Sequence, residues 1–216
     1  MFNIVSIPTG PLAVNTYIVW YGEEGEPAEC TVIDPANSNK VLRALAERQL
    51  TCRAILLTHG HFDHIMGVAK LRQETGAQVY INRLDAEAVS SDKASLASMV
   101  GIRVDPSKVD VFVEDGMEFT VAGIDFTAIH TPGHTKGGVC YIVEKERVIF
   151  SGDTLFRMSY GRTDLAGGDE AALYESLMYR LFTLKGDYRV LPGHEAETTL
   201  DFERLYNPCV RNGIME

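Results

Sequence analysis

Nowhere in these 216 residues does an apolar run approach the roughly 18 residues that a membrane-spanning helix needs. The first residues, Met1-Phe2-Asn3-Ile4-Val5-Ser6-Ile7, lack the basic segment and long apolar stretch of a secretory signal. They read as a first strand, and the expected compartment is the cytoplasm. Cysteine is scarce: Cys30, Cys52, Cys140 and Cys209 lie far apart, without a Cys-x-x-Cys pair. That spacing argues against a disulfide framework and fits scattered reduced thiols. No cluster of Lys or Arg stands out, and the formal net charge is −10. An acidic surface repels phosphate backbones, which weighs against nucleic acid as a partner. Linkers, low-complexity segments and charge blocks are also absent, so residues 1–216 read as a single domain.

What is present is a series of short apolar runs. Strand-type runs occupy residues 2–7, 14–21, 30–34, 53–58, 78–81, 124–129, 139–143, 148–151 and 189–191. Helical spacing appears over 37–49, where Val41, Leu42, Leu45 and Ala46 share one face. It appears again over 65–75, through Val68, Ala69 and Leu71, with Gly76 as a C-cap. A third helix over 169–184 opens with Asp169-Glu170, which suits the positive end of a helix, and its stripe Leu173, Leu177, Leu181 reads as core. A last helix is expected over 198–205. Residues 86–108 are the least legible, their Ser, Asp and Ala content suggesting a helix and a mobile loop. The mixed order of strands and helices points to sheets covered by helices, in the α/β or α+β range.

The strand at 53–58 runs straight into Thr58-His59-Gly60-His61-Phe62-Asp63-His64. A tight strand-to-helix connection aims several side chains at one point beyond the strand's C-terminal end, an edge where functional residues gather. Imidazole nitrogens and carboxylate oxygens bind zinc, iron or manganese. His59 and His61, two apart in extended backbone, can chelate one ion, and Asp63 with His64 can face a second. Three later segments repeat the form: Thr131-Pro132-Gly133-His134, Ser151-Gly152-Asp153 and Pro192-Gly193-His194. Five of the six histidines fall in these segments, too concentrated to be unrelated surface or core residues. The sixth, His130, falls in or beside a strand and reads as structural support.

Through these segments, with Asn15-Thr16-Tyr17, Asp34-Pro35 and Gly161-Arg162-Thr163-Asp164, the sequence resembles the metallo-β-lactamase superfamily. It is most similar to the glyoxalase II-like (hydroxyacylglutathione hydrolase-like) branch, and the matching segments follow the family's order over nearly the whole chain. The resemblance implies a four-layer αββα sandwich with a metal site at one sheet edge. It implies that His59, His61 and His134 hold one ion, that Asp63, His64 and His194 hold another, and that Asp153 bridges them. Zinc is the first expectation for the two divalent ions, with iron or manganese as alternatives. Metallo-β-lactamases proper carry Cys where Asp153 stands, which argues against antibiotic hydrolysis as the main role. Tyr160 and Arg162, in the Gly-rich stretch 159–168, are candidate substrate contacts. Arg162 also reads as a structural partner of Asp164, and that reading is favoured. Asp34 is expected to support the site by fixing a turn, and Tyr17 reads as core.

A metal-bridging water has its pKa pulled from roughly 15.7 towards about 7, so a hydroxide nucleophile is expected at neutral pH, with Asp63 orienting it or taking its proton. A thiolate leaving group, of pKa about 8.5 or below, needs little help from a general acid. The expected substrate is therefore a small-molecule acyl thioester of the S-lactoylglutathione type. Only 216 − 194 = 22 residues follow His194, too few for the C-terminal helical domain that supplies glutathione contacts in full-length glyoxalase II enzymes. The thiol carrier is left open. The runner-up is a persulfide dioxygenase with a single iron on His59, His134 and Asp153, and a lactonase could use the same site. A nuclease of this superfamily is disfavoured by the acidic balance and the lack of room for arms that grip nucleic acid.

Overall fold

Successive side chains of a strand point to opposite faces, so a strand buried on both sides reads as a continuous apolar run. The run at residues 14–21 is of that kind: Tyr17 and Val19 enter one buried cluster, Ile18 and Trp20 another. The computed structural model describes residues 1–10 and 12–212. A first sheet lines up β1 (Phe2–Thr9), β2 (Val14–Tyr21), β3 (Ala28–Ile33), β4 (Leu50–Leu56), β5 (Gln78–Asn82) and β6 (Val111–Val113) in chain order. It is antiparallel as far as β3 and parallel from β3 to β6.

The second sheet is built from β7 (Glu118–Val121), β8 (Ile124–His130), β9 (Val139–Val143) and β10 (Val148–Gly152). A small ribbon follows, β11 (Leu155–Phe156) with β12 (Ser159–Tyr160), before β13 (Arg189–Pro192) and β14 (Thr198–Thr199) complete the sheet. Its order is β14-β13-β10-β9-β8-β7, with only β10 and β13 parallel. The two sheets share one cluster, in which Tyr17, Val19 and Leu56 of the first meet Phe126, Tyr141 and Phe150 of the second. The opposite face of the first sheet packs Ile18, Trp20 and Ile55 on helices α1 (Ser38–Glu47), α2 (Phe62–Ile65) and α3 (Val68–Thr75) through Val41, Leu45, Ile65 and Leu71. The opposite face of the second packs Ile142, Ile149 and Val190 on Leu173, Leu177, Leu181 and Leu200. The result is the four-layer αββα sandwich. No helix among the described residues is long and apolar enough to cross a membrane.

Several elements differ from expectation. The helix expected over 65–75 is split between α2 and α3, because the Gly67 N–H turns to donate to the Pro35 carbonyl at 2.7 Å. Gly76 caps α3 in the left-handed conformation, as expected. The third helix begins at α4 (Glu170–Glu175), with Asp169 as its cap accepting from Ala172 N, and continues as a π-helical turn, Ser176–Leu181. The helix expected over 198–205 is α5 (Leu200–Tyr206), capped by the Thr199 hydroxyl at Phe202 N, and a short unexpected helix, α6 (Pro208–Asn212), follows it. Residues 86–108 hold no α-helix. They include 3₁₀ turns, Arg83–Ser90 and Ala97–Val100, joined by irregular chain, and are tied down where Asp92 accepts from Val104 N at 2.7 Å and Val89 O accepts from Ser107 N at 2.9 Å. A side-chain carboxylate that takes backbone N–H groups competes with the helical ladder.

Candidate metal centre

Strands β4, β8, β10 and β13 each end at the same edge of the sandwich, and each is followed by a turn carrying one of the candidate ligands. After β4 the chain bends at Thr58, is extended at His61 (φ −68, ψ 144) and then turns into α2, so Asp63 and His64 lie on the first helical turn. The two sheets are stitched together at this edge. Val139 N donates to Thr58 O at 2.8 Å, the Tyr141 hydroxyl to Leu57 O at 2.9 Å, and Asn15 N to Gly193 O at 2.7 Å. Tyr17 is buried as expected, but it does more than fill the core, since its hydroxyl donates to Pro192 O at 2.7 Å and so anchors the turn that carries His194.

All seven candidate ligands converge, in two groups. His61 Nδ1 lies 2.9 Å from His134 Nε2, and one donor atom from each of His59, His61 and His134 lies within 4.8 Å of the others. Asp63, His64 and His194 form a second group of the same kind, with His64 Nε2 3.3 Å from His194 Nε2 and His194 Nε2 3.4 Å from Asp63 Oδ2. Asp153 sits between the groups: Oδ2 is 3.5 Å from His134 Nε2 and 3.4 Å from His194 Nε2, and Oδ1 is 3.4 Å from His64 Nε2.

The far side of each ring decides what these contacts mean. His64 Nδ1 faces Asp34 Oδ2 at 2.9 Å, His134 Nδ1 faces Arg162 O at 2.7 Å, and His194 Nδ1 faces Leu12 O at 3.0 Å. Thr58 Oγ1 gives its proton to Asp34 Oδ2 at 2.6 Å, leaving a lone pair to accept from His59 Nδ1 at 3.1 Å. In the neutral ring, acceptors on that side place the proton on Nδ1 and leave Nε2 as the nitrogen with a lone pair. Four imidazoles therefore turn Nε2 inward, where loss of the proton on that nitrogen leaves a lone pair for a cation. His59 Nε2 and Asp153 Oδ1 are buried and make no hydrogen bond, the situation of a donor atom that awaits a metal. The donor set fits divalent cations.

Charge is divided accordingly. Burial holds His59 well below the ordinary imidazole range, and burial followed by the neighbouring His134 lowers His61 to about 3. Both are neutral at neutral pH, as metal ligands must be. Burial also opposes protonation of His64 and His194, but the facing carboxylates prevail and raise them to about 9 and about 10. Burial works against ionisation of Asp63 and Asp153, yet their histidine partners hold both below the usual carboxylate range.

A cavity of about 840 Å³ opens over the two groups. Leu12, Met99, Val100, Phe156 and Leu165 form its apolar wall, and the sequence-predicted Tyr160 and Arg162 line it too. The Arg162 guanidinium is committed to Asp164 by two bonds of 2.7 Å, the structural pairing favoured from sequence. Its backbone carbonyl, which no motif reveals, is what holds His134. Asp34 supports the site more directly than by fixing a turn. Held in the left-handed region at φ 49, it takes Thr58 N, Thr58 Oγ1 and His64 Nδ1 on its two oxygens. His130 is structural, its Nε2 bonded to Lys136 O at 2.9 Å in the His134 loop.

Residues 9–194 match the model of the metallo-beta-lactamase superfamily. The chain belongs to that superfamily. Among its relatives is the probable metallo-hydrolase YqgX of Bacillus subtilis, 33% identical, with 96% of this chain and 97% of that one covered. The hydroxyacylglutathione hydrolase GloC of Haemophilus influenzae is 29% identical, with 97% and 99% covered. Solved structures agree. The BLEG-1 B3 metallo-beta-lactamase superposes with a TM-score of 0.89 at 34% identity, covering 97% of this chain and 99% of the other. TTHA1623 in a di-iron-bound form gives 0.81 at 38%, covering 94% and 98%. ETHE1 from Myxococcus xanthus gives 0.78 at 28%, covering 96% and 84%. The chain thus carries a metallo-hydrolase fold with a His/Asp cluster of metal-binding type.

Proposed function

We propose that this chain is a dinuclear metal-dependent hydrolase that cleaves an acyl thioester of the S-lactoylglutathione type. The observation that carries the reading is the set of four imidazoles whose Nδ1 is tied to an acceptor and whose Nε2 turns inward, in two groups flanking Asp153. His59, His61 and His134 would hold one ion, Asp63, His64 and His194 the other, and Asp153 would serve both. Two divalent ions, zinc first and iron or manganese as alternatives, would supply a water of pKa near 7 and positive charge for a developing oxyanion. Asp63 faces the cavity, stays ionised at neutral pH, and is the group to orient the attacking water and take its proton. The apolar wall of Leu12, Met99, Val100 and Phe156 excludes bulk water and receives the acyl group. A thiolate departs without a general acid, which suits a cavity in which the arginine fork is already paired. The relative named as a hydroxyacylglutathione hydrolase supports the same substrate class.

The test is thiol release by purified, metal-loaded protein from a panel of acyl thioesters that includes S-lactoylglutathione. Absence of release from every member rejects the proposal. The panel includes acyl homoserine lactones for the lactonase reading. It also includes β-lactams, because a neighbour 34% identical is a B3 metallo-beta-lactamase and the objection drawn from Asp153 must be tested directly. A second reading has its own geometry: His59, His134 and Asp153 form a two-histidine, one-carboxylate set suited to a single iron and oxygen chemistry. One iron per chain with oxygen uptake on glutathione persulfide would replace hydrolysis by that reading. Two ions per chain with thiol release would retain hydrolysis.

A further inference from the structure

Asp85 belongs to no motif in the sequence. It lies on the 3₁₀ turn after β5, beyond the ligand-bearing segments, and is 9% exposed. Both oxygens are used. Oδ2 accepts from the Gly60 N–H at 3.0 Å and the Thr135 hydroxyl at 2.7 Å, and Oδ1 accepts from the Gly137 N–H at 2.7 Å. Gly60 stands between His59 and His61, and Thr135 follows His134. A single carboxylate therefore ties together the two loops that carry the three-histidine group, one leaving the first sheet and one leaving the second.

The loops are shaped around this side chain. A Cβ on Gly60 would lie 2.5 Å from Ala88 Cβ and 3.0 Å from the Asp85 carbonyl oxygen, and a Cβ on Gly137 would lie 2.7 Å from the Asp85 carboxyl carbon. Neither glycine accepts a side chain without displacing Asp85 or its turn. Among the described residues, the Asp85 carboxylate bonds to Gly60, Thr135 and Gly137 and not to Asp63, His64, His194 or Asp153. The second group has its own carboxylate, Asp34, on His64. Asp34 also reaches His59 through the Thr58 hydroxyl, whereas the Asp85 carboxylate bonds only to the loops of the three-histidine group.

We propose that Asp85 is the positioning residue of the three-histidine site: it sets the separation between the His59–His61 loop and the His134 loop, and so the metal affinity of that site alone. This rests on the two-metal reading above. It also gives the chain after β5 a part in the site, since the same segment takes the Phe62 N–H on the Ser95 carbonyl at 2.9 Å.

The experiment measures cobalt(II) affinity by chelator competition on the full chain in two backgrounds. His194→Ala isolates the three-histidine site, and His61→Ala isolates the Asp63/His64/His194 site. Wild type must first bind two ions per chain; fewer rejects the two-metal reading, and the proposal with it. In Asp85→Asn the amide, in either orientation, sets its NH₂ against a backbone N–H, that of Gly60 or that of Gly137. We expect a loss of roughly 10–100-fold in the His194→Ala background, the range seen when outer partners of metal ligands are removed. In the His61→Ala background affinity stays within about twofold, inside the usual context-dependent scatter of such effects. Equal losses in both backgrounds, as general destabilisation would give, or no loss in either, overturns the proposal. Should Asp85→Asn fail to fold, Thr135→Val removes only the hydroxyl bond. Selective weakening of the three-histidine site supports the proposal, and unchanged affinity overturns it.

Discussion

Asp34→Ala tests what a second carboxylate does for His64. The His61→Ala background, which leaves only the Asp63/His64/His194 site, separates that effect from the Asp34 bond to the Thr58 hydroxyl beside His59. Asp34 is 1% exposed and accepts three hydrogen bonds, from Thr58 N at 2.8 Å, Thr58 Oγ1 at 2.6 Å and His64 Nδ1 at 2.9 Å. Without it, nothing fixes the proton of His64 on Nδ1, and an imidazole free to carry its proton on Nε2 offers no lone pair to an ion there. The loss expected from an outer partner of a ligand is roughly 10–100-fold in metal affinity, or about 1.4–2.7 kcal/mol. Folding suffers separately. Two Thr58 donors left buried cost about 1–3 kcal/mol each, so urea unfolding of the metal-free protein should lose roughly 2–6 kcal/mol, less wherever water enters the space. Cobalt(II) competition in the His61→Ala background reads the affinity, and the chemical shifts of the imidazole nitrogens read the tautomer. Unchanged affinity with His64 still protonated on Nδ1 would refute the claim that the far-side acceptor governs the ligand.

Exhaustive chelation should abolish thioester cleavage and lower the unfolding temperature, with both restored by added divalent metal; an unchanged melting curve would show that the cluster holds no stabilising ion. The metal-free protein should also respond to pH in a definite direction. His64 and His194, raised from 6.5 to about 9 and about 10, contribute stability that is fully present below about pH 6.5 and lost as pH rises through 9 to 10. Metal-free melting temperatures should therefore fall over that interval, whereas metal-loaded protein, whose ligands have already released those protons, should not follow the same curve. Leu177→Ala, at a fully buried position beneath the second sheet, should cost about 2–5 kcal/mol in urea unfolding and leave metal stoichiometry at the wild-type value.

What could be read from the sequence depended on whether the information lay in side chains. The strands of the two sheets were legible because β2, β9 and β10 are buried on both faces and read as largely apolar runs. By contrast β6, β7 and β14 are short edge or near-edge strands with too few residues to make a pattern. The ligands were legible because each is a His or Asp in a turn after a strand. The break at Gly67 was not, because its cause is a carbonyl on Pro35, and the 3₁₀ turns before β6 were not, because Asp92 satisfies a backbone group twelve residues away.

The same distinction runs through the centre itself. Asp34 acts through two side chains, directly on His64 and through Thr58 on His59, and the Asp34-Pro35 pair was visible in the sequence. His134 and His194 are oriented by the carbonyls of Arg162 and Leu12, the latter 182 residues away, and a carbonyl is the same at every position. Asp85 is the extreme case. Its partners lie 25, 50 and 52 residues along the chain, and two of the three are backbone N–H groups of glycines. Such a carboxylate leaves a trace only in its complement, two positions where a side chain cannot fit, and those acquire meaning once the sheets have brought the loops together. Ligands bind a metal by what they are, so composition exposes them; their supports act by where they stand, so the fold has to reveal them.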